Sequence, residues 1–172
     1  ESQPQAVVDL IKRIAGEKGA EKFLFVLEST ISADETERFS IASNQDKVQI
    51  KGNTISAITT GLGWYLNYYA NVNIAWNALN EKSEGQPYVE LLQLPLPEQE
   101  EIHISDAKYR YFFNYCTFGY SMTTWTWKRW QQEIDWMALH GINIPLALVG
   151  TDVVWKNVLA EAGYKREDID KF

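Results

Sequence analysis

Polar side chains that follow an aromatic, β-prone stretch are the residues of this sequence best placed to do chemistry. Tyr109–Tyr115 reads Tyr-Arg-Tyr-Phe-Phe-Asn-Tyr and runs on into Cys-Thr-Phe-Gly-Tyr, so Asn114, Cys116, Thr117 and Tyr120 gather where a strand would end. Thr151 and Asp152 follow the apolar run Ile142–Val149 and Gly150 in the same way. In a parallel α/β architecture, open or closed, residues just past the strand C-termini line the ligand site. An asparagine amide both donates and accepts hydrogen bonds, and a tyrosine adds a phenol to an apolar wall. The Cys116 thiol would be a nucleophile only beside a base. His103 precedes the strand and His140 ends the following helix, at the opposite end of the unit from Cys116, so the thiol reads as a buried or pocket-wall group. Asp152 reads as a first-turn acid favoured by the helix dipole. Glu133 and Asp135 fall in mid-helix and read as structural groups facing solvent or a neighbouring helix. Of the rings between Trp125 and Trp136, Trp125 suits sugar stacking and the rest suit core packing between helix and barrel wall.

These residues need elements to position them. The strand Tyr109–Tyr115 is followed by a helical pattern from near Trp127, with Trp127, Trp130, Ile134, Met137 and Ala138 on its predicted buried face and Gly141 at its end. Ile142–Val149 is continuously apolar and reads as a strand covered on both faces, although Pro145 cannot donate to a ladder. A second helix follows over Asp152–Ala162. Strand, helix, strand, helix is a βαβα unit and implies parallel strands.

Upstream, Val7, Leu10, Ile11 and Ile14 have helical spacing within Gln5–Ala15, between Pro4 and Gly16. Phe23–Glu28 fits a buried strand. Phe39–Ser43 and Lys47–Lys51 alternate about Asn44-Gln45-Asp46 and predict a hairpin. Thr54 should N-cap a second helix that buries Ile55, Ile58, Leu62, Tyr65, Leu66 and Tyr69, with Gly61 and Gly63 allowing close approach to the sheet. Leu79–Pro87 reads as an exposed loop and Tyr88–Leu94 as an edge strand. Pro95, Pro97 and Glu98-Gln-Glu-Glu then make a stiff, solvated connection, which places a boundary near Glu98–Ser105. The predicted fold class is α/β, with a small α/β sandwich over residues 1–97. Residues 98–172 carry the first βαβα units of a parallel assembly too short to close: a full (β/α)₈ barrel takes about 250 residues.

Composition narrows the function. The chain has 172 residues, a formal charge of −7 and 13% aromatic residues. Scattered Lys and Arg and the negative charge argue against a nucleic-acid partner. No apolar run is long enough to span a membrane. One cysteine and two histidines, widely spaced, offer neither an internal disulfide nor a zinc set, and no cofactor motif is present. An open-sheet nucleotide-binding domain would need a Gly-rich phosphate loop, which the sequence lacks.

Two blocks resemble a known family. Tyr109-Arg-Tyr-Phe-Phe-Asn-Tyr-Cys-Thr, followed by Trp127-Lys-Arg-Trp-Gln-Gln-Glu-Ile-Asp-Trp-Met-Ala-Leu-His-Gly-Ile-Asn-Ile-Pro-Leu-Ala, is similar to the opening of the catalytic barrel of the α-N-acetylglucosaminidases. Val48–Trp76, with its Gly52 turn, is similar to that family's N-terminal α/β domain. The resemblance runs from about residue 5 to the end. It implies the opening of a (β/α)₈ barrel and a retaining glycoside hydrolase that removes terminal α-linked N-acetylglucosamine from glycosaminoglycan or mucin-type glycans. It also implies an extracytoplasmic place, whether secreted, periplasmic or lysosomal. Retention needs two carboxyl groups about 5–5.5 Å apart. The resemblance puts both on later barrel strands, so this stretch of chain is expected to be inactive alone. It maps Asn114, Cys116 and Tyr120 to the sugar pocket. Many members carry Gly-Gln-Glu where this chain has Gly150-Thr151-Asp152, which withholds an inherited role from Asp152.

The residues also admit a non-catalytic carbohydrate-binding or interaction module that uses its aromatic surface without chemistry. The two readings differ in behaviour. An incomplete barrel exposes apolar helix faces and an unpaired strand edge, which favour self-association, whereas a free-standing module should be a compact monomer.

Overall fold

A computed structural model describes residues 3–28, 36–76, 89 and 94–171. The chain forms two compact units, one comprising residues 1–111 with 125–144 and the other residues 112–124 with 145–172.

In the first unit, helix α1 (Gln5–Ala20) breaks at Gly16, where φ is 72°, a backbone state open to glycine. Strands β1 (Phe23–Leu27), β2 (Arg38–Asn44), β3 (Lys47–Gly52) and β4 (Glu101–Ile104) form a sheet in the order β1-β3-β2-β4. The predicted hairpin is β2–β3, antiparallel, closed at Asn44↔Lys47 around Gln45 and Asp46. β1 lies parallel to β3, and β4 pairs antiparallel with β2. β4 arises from the stretch read as a connection. The predicted edge strand Tyr88–Leu94 and loop Leu79–Pro87 fall outside the described residues, save Val89 and Leu94.

Period-two alternation directs Phe23, Phe25, Phe39, Ile41, Val48 and Ile50 into one buried cluster with Val7, Leu10, Ile11 and Ile14 of α1 and Ile58, Leu62, Tyr65 and Leu66 of helix α2 (Ile55–Tyr68). Burying each such side chain contributes about 1.5–3 kcal/mol before entropy is counted. Thr54 caps α2 as predicted, its hydroxyl accepting from the Ala57 N–H at 2.9 Å. Gly61 lies against Ile50 and Phe39 of the sheet. Gly63 serves a different neighbour: a Cβ there would sit 1.9 Å from the Leu139 carbonyl oxygen, so it admits helix α4 (Trp127–Leu139) to α2.

The β-rich readings of the second half contract. Strand β5 covers only Tyr111–Phe112, and the chain then enters helix α3 (Tyr115–Tyr120) through Asn114. Strand β6, its partner, covers Ile144–Pro145, and both residues are exposed rather than covered. Pro145 has no N–H to give a ladder, and each of these strands has one strand beside it. Helix α5 (Thr151–Glu161) matches the predicted second helix, and α6 (Arg166–Ile169) follows.

Candidate functional site

The second unit holds all three predicted sugar-contacting residues. Asn114 is the N-cap of α3: its side-chain oxygen accepts from the N–H groups of Cys116 at 2.9 Å and Thr117 at 3.2 Å. Thr117 returns a hydroxyl hydrogen bond to the Asn114 carbonyl at 2.7 Å. Two N–H donors facing one amide oxygen fix which way the amide points, and its nitrogen has no hydrogen-bond partner among the described residues. Cys116 is exposed, and Tyr120 closes the helix with 84% of its surface exposed. The residue before Asn114, Phe113, is buried with φ at 74°, a left-handed state that costs a bulky residue about 1–3 kcal/mol. Asp152 stands in the first turn of α5, after Gly150 at φ 81°, the placement expected of a dipole-favoured acid.

The first unit contains groups that sequence reasoning misread. α4 does not bury Trp127 and Ile134, which are 69% and 45% exposed. It buries Met137, as predicted, together with Leu139, Glu133 and Asp135. Glu133 is completely enclosed; it accepts from the Trp76 indole N–H at 2.8 and 2.9 Å and from Arg129 at 2.9 Å. The Arg129 guanidinium lies between two rings, 3.9 Å from the centre of Trp125 and 5.3 Å from that of Trp76. One face of Trp125, the ring suited to sugar stacking, is therefore a cation platform. Arg13 of α1 grips both Asp135 oxygens at 2.7 Å. Burial pushes the Asp135 carboxyl above its ordinary value, and Arg13 opposes this without cancelling it. The reading of Glu133 and Asp135 as structural groups beside a neighbouring helix holds, but not in solvent. Arg129 and Glu133 stand four residues apart, the one sequence signal for part of this arrangement.

A cleft of ≈ 390 Å³ also lies in the first unit, lined by Phe39, Trp64, His103, Asp106, Arg110 and His140 among others. Arg110 offers no free charge to a ligand. It bonds to Glu37, the Gly141 carbonyl, the Ser105 hydroxyl (3.1 Å) and the Ala107 carbonyl (2.8 Å), and the Ser56 hydroxyl lies 3.5 Å away. The guanidinium's five donors are thus committed, which makes Arg110 a clasp. His103 stacks on Phe39, and His140 donates from Nδ1 to the Trp136 carbonyl at 2.7 Å.

The class of protein follows from solved structures that share this fold. A family 89 glycoside hydrolase from Clostridium perfringens in complex with PUGNAc has a TM-score of 0.79 and 27% identity, over 98% of this chain and 18% of that one. The same values hold for a form of that enzyme in complex with its substrate GlcNAc-alpha-1,4-galactose. Human alpha-N-acetylglucosaminidase is 32% identical over 171 residues, 97% of this chain and 22% of that protein. This chain belongs to the alpha-N-acetylglucosaminidase (NAGLU) family, matching the model of its N-terminal domain over residues 5–87 and that of its TIM-barrel domain over residues 110–172. It spans about a fifth of the length of these relatives.

Proposed function

We propose that this chain is the N-terminal part of a retaining glycoside hydrolase that removes terminal α-linked N-acetylglucosamine from glycans. The observation that carries the reading is the ordered match of both family domains, N-terminal then TIM-barrel, along one chain. The boundary between them falls at the end of the stretch 98–105, after β4, whose pairing with β2 makes it part of the N-terminal sheet, and the βα elements after it open an incomplete (β/α)₈ barrel. Asn114, Cys116 and Tyr120 form part of the sugar pocket. Asn114 spends its amide oxygen on α3, so it donates from nitrogen to a sugar oxygen, while Cys116 and Tyr120 supply wall and phenol. The nucleophile and the acid/base are two carboxyl groups of the parent protein outside this chain, which by itself does not turn over substrate. No cofactor or metal takes part. The parent works outside the cytoplasm, and no helix among the described residues is long and apolar enough to cross a membrane. The isolated chain self-associates: Val153, Val154 and Trp155 of α5 are each more than half exposed.

The test is hydrolysis of an aryl α-N-acetylglucosaminide by this 172-residue chain beside the natural chain extended past Phe172. Turnover by the longer chain alone is the expected result. Turnover by the short chain would overturn the assignment of the carboxyl groups, and turnover by neither would move the reading to a non-catalytic sugar-binding module.

A further inference from the structure

The geometry points to Phe113 as a positioning residue for Asn114, a role that rests on the sugar-pocket reading above. β5 ends at Phe112, and α3 begins at Tyr115. Between them the chain makes one abrupt turn, with Phe113 left-handed at φ 74° and Asn114 extended at φ −129°. Glycine or asparagine is the ordinary occupant of such a backbone state, and phenylalanine holds it only where its surroundings over-determine it. Those surroundings are aromatic. The Phe113 ring is buried, 4.5 Å from the centre of Phe112 and 5.7 Å, edge-on, from that of Phe118. Phe118 belongs to the helix that Asn114 caps, so the ring ties the turn to the capped helix.

The consequence concerns Asn114. Its oxygen is held by Cys116 and Thr117 only while residue 114 stands extended at the helix start. That leaves the amide nitrogen as the group presented outward, a donor matched to a sugar hydroxyl or acetamido oxygen. Glycine at 113 would keep the turn accessible and release the ring, letting the chain sample other entries into α3 and the amide other directions. The loss would fall on sugar binding, because no group of Phe113 itself is available to the sugar.

Kinetics of the full-length parent on an aryl α-N-acetylglucosaminide test this. Asn114→Ala should raise KM about tenfold, the worth of one lost hydrogen bond. Phe113→Gly should raise KM by a similar factor with kcat little changed, and Phe113→Tyr, which keeps the ring, should restore it. The double variant Phe113→Gly/Asn114→Ala should match Asn114→Ala alone, since one residue acts through the other. Multiplied effects, or a Phe113→Gly enzyme whose kcat falls at unchanged KM, would show a general folding role and overturn the proposal. If Phe113→Gly fails to fold, Phe118→Ala removes the ring's support in its place and must raise KM. An unchanged KM in Asn114→Ala would remove the sugar-pocket reading itself, and the proposal with it.

Discussion

α2 and α4 are neighbouring amphipathic helices of nearly equal length, 14 and 13 residues, and only α4 buries carboxyl groups beside its apolar residues. α2 turns Ile58, Leu62, Tyr65 and Leu66 to the sheet. α4 turns Glu133 and Asp135 inward beside Met137 and Leu139, and leaves Trp127 and Ile134 outside. The first helix is held by area removed from water, a force without direction. The second adds to its buried Met137 and Leu139 two carboxyl groups whose partners, Trp76 and Arg129 for Glu133 and Arg13 for Asp135, help fix its rotation and register. Hydrophobic pattern is thus a guide to most of the face of α2, where Ile55 alone of the predicted aliphatic residues is exposed, and to only part of α4, where Met137 is buried but Trp127 and Ile134 are not.

The comparison breaks most severely at Gly63, where the two helices touch. Gly63→Ala places a methyl group against the Leu139 carbonyl, a backbone atom that cannot swing aside. We expect a loss of more than about 3 kcal/mol, read as a large drop in the denaturant midpoint of the chain. Gly61→Ala meets the Ile50 and Phe39 side chains at 2.9 Å and no backbone atom, and should cost less.

Glu133→Leu comes next. It strands Arg129, whose side chain is only 14% exposed, and should cost about 3 kcal/mol in urea unfolding. Adding Arg129→Met should recover much of that loss, because a removed pair is cheaper than half a pair. If Glu133→Leu proves neutral by itself, the charges do not hold α4.

Asp135 sharpens the contrast through pH. Its folded carboxyl titrates above its ordinary value because it is buried. Between the two values the folded state binds more protons, so this group's contribution to stability is complete below the ordinary value and falls as pH rises through the raised one. Asp135→Asn should flatten that decline in unfolding free energy measured across the weakly acidic range. It should also weaken the grip on Arg13 by about 1 kcal/mol. A decline of unchanged slope would assign the pH dependence to other groups.

The smallest effect should be at Ile134. Replacing it with Gln should change the stability of this chain by less than about 0.5 kcal/mol, whereas Ile58→Ala on α2 should cost about 2–5 kcal/mol. Comparable losses at both sites would mean that α4 buries its apolar stripe after all.

Sequence pattern made the first layer legible. Alternation specified the β2–β3 hairpin, helical spacing specified α1 and α2, and Thr54 marked a cap that the structure contains. These features depend on neighbours close in sequence. What stayed hidden depends on distant ones. Arg110 meets Glu37 across 73 positions, and Trp76 meets Glu133 across 57; no local spacing announces either. β4 hides behind Pro95, Pro97 and the acidic Glu98-Gln-Glu-Glu, which give the stretch the composition of a solvated connection, and pairing with β2 makes it a strand. For the candidate site, the sequence located Asn114, Cys116 and Tyr120 at a strand end but overextended the strand, since Asn114 diverts the chain into α3. The left-handed state of Phe113 had no signal, as the residue type argues against it.

The Arg13–Asp135 pair has a consequence in time. Its partners are 122 residues apart, so at roughly 5–20 residues per second a ribosome exposes the arginine about 6–24 s before the aspartate is made. Through that interval α1 and the β2–β3 hairpin can already collapse, while Arg13 waits for the Asp135 carboxylate. The bond that joins α1 to α4 is therefore among the last in this unit to form, after the α4 helix is made.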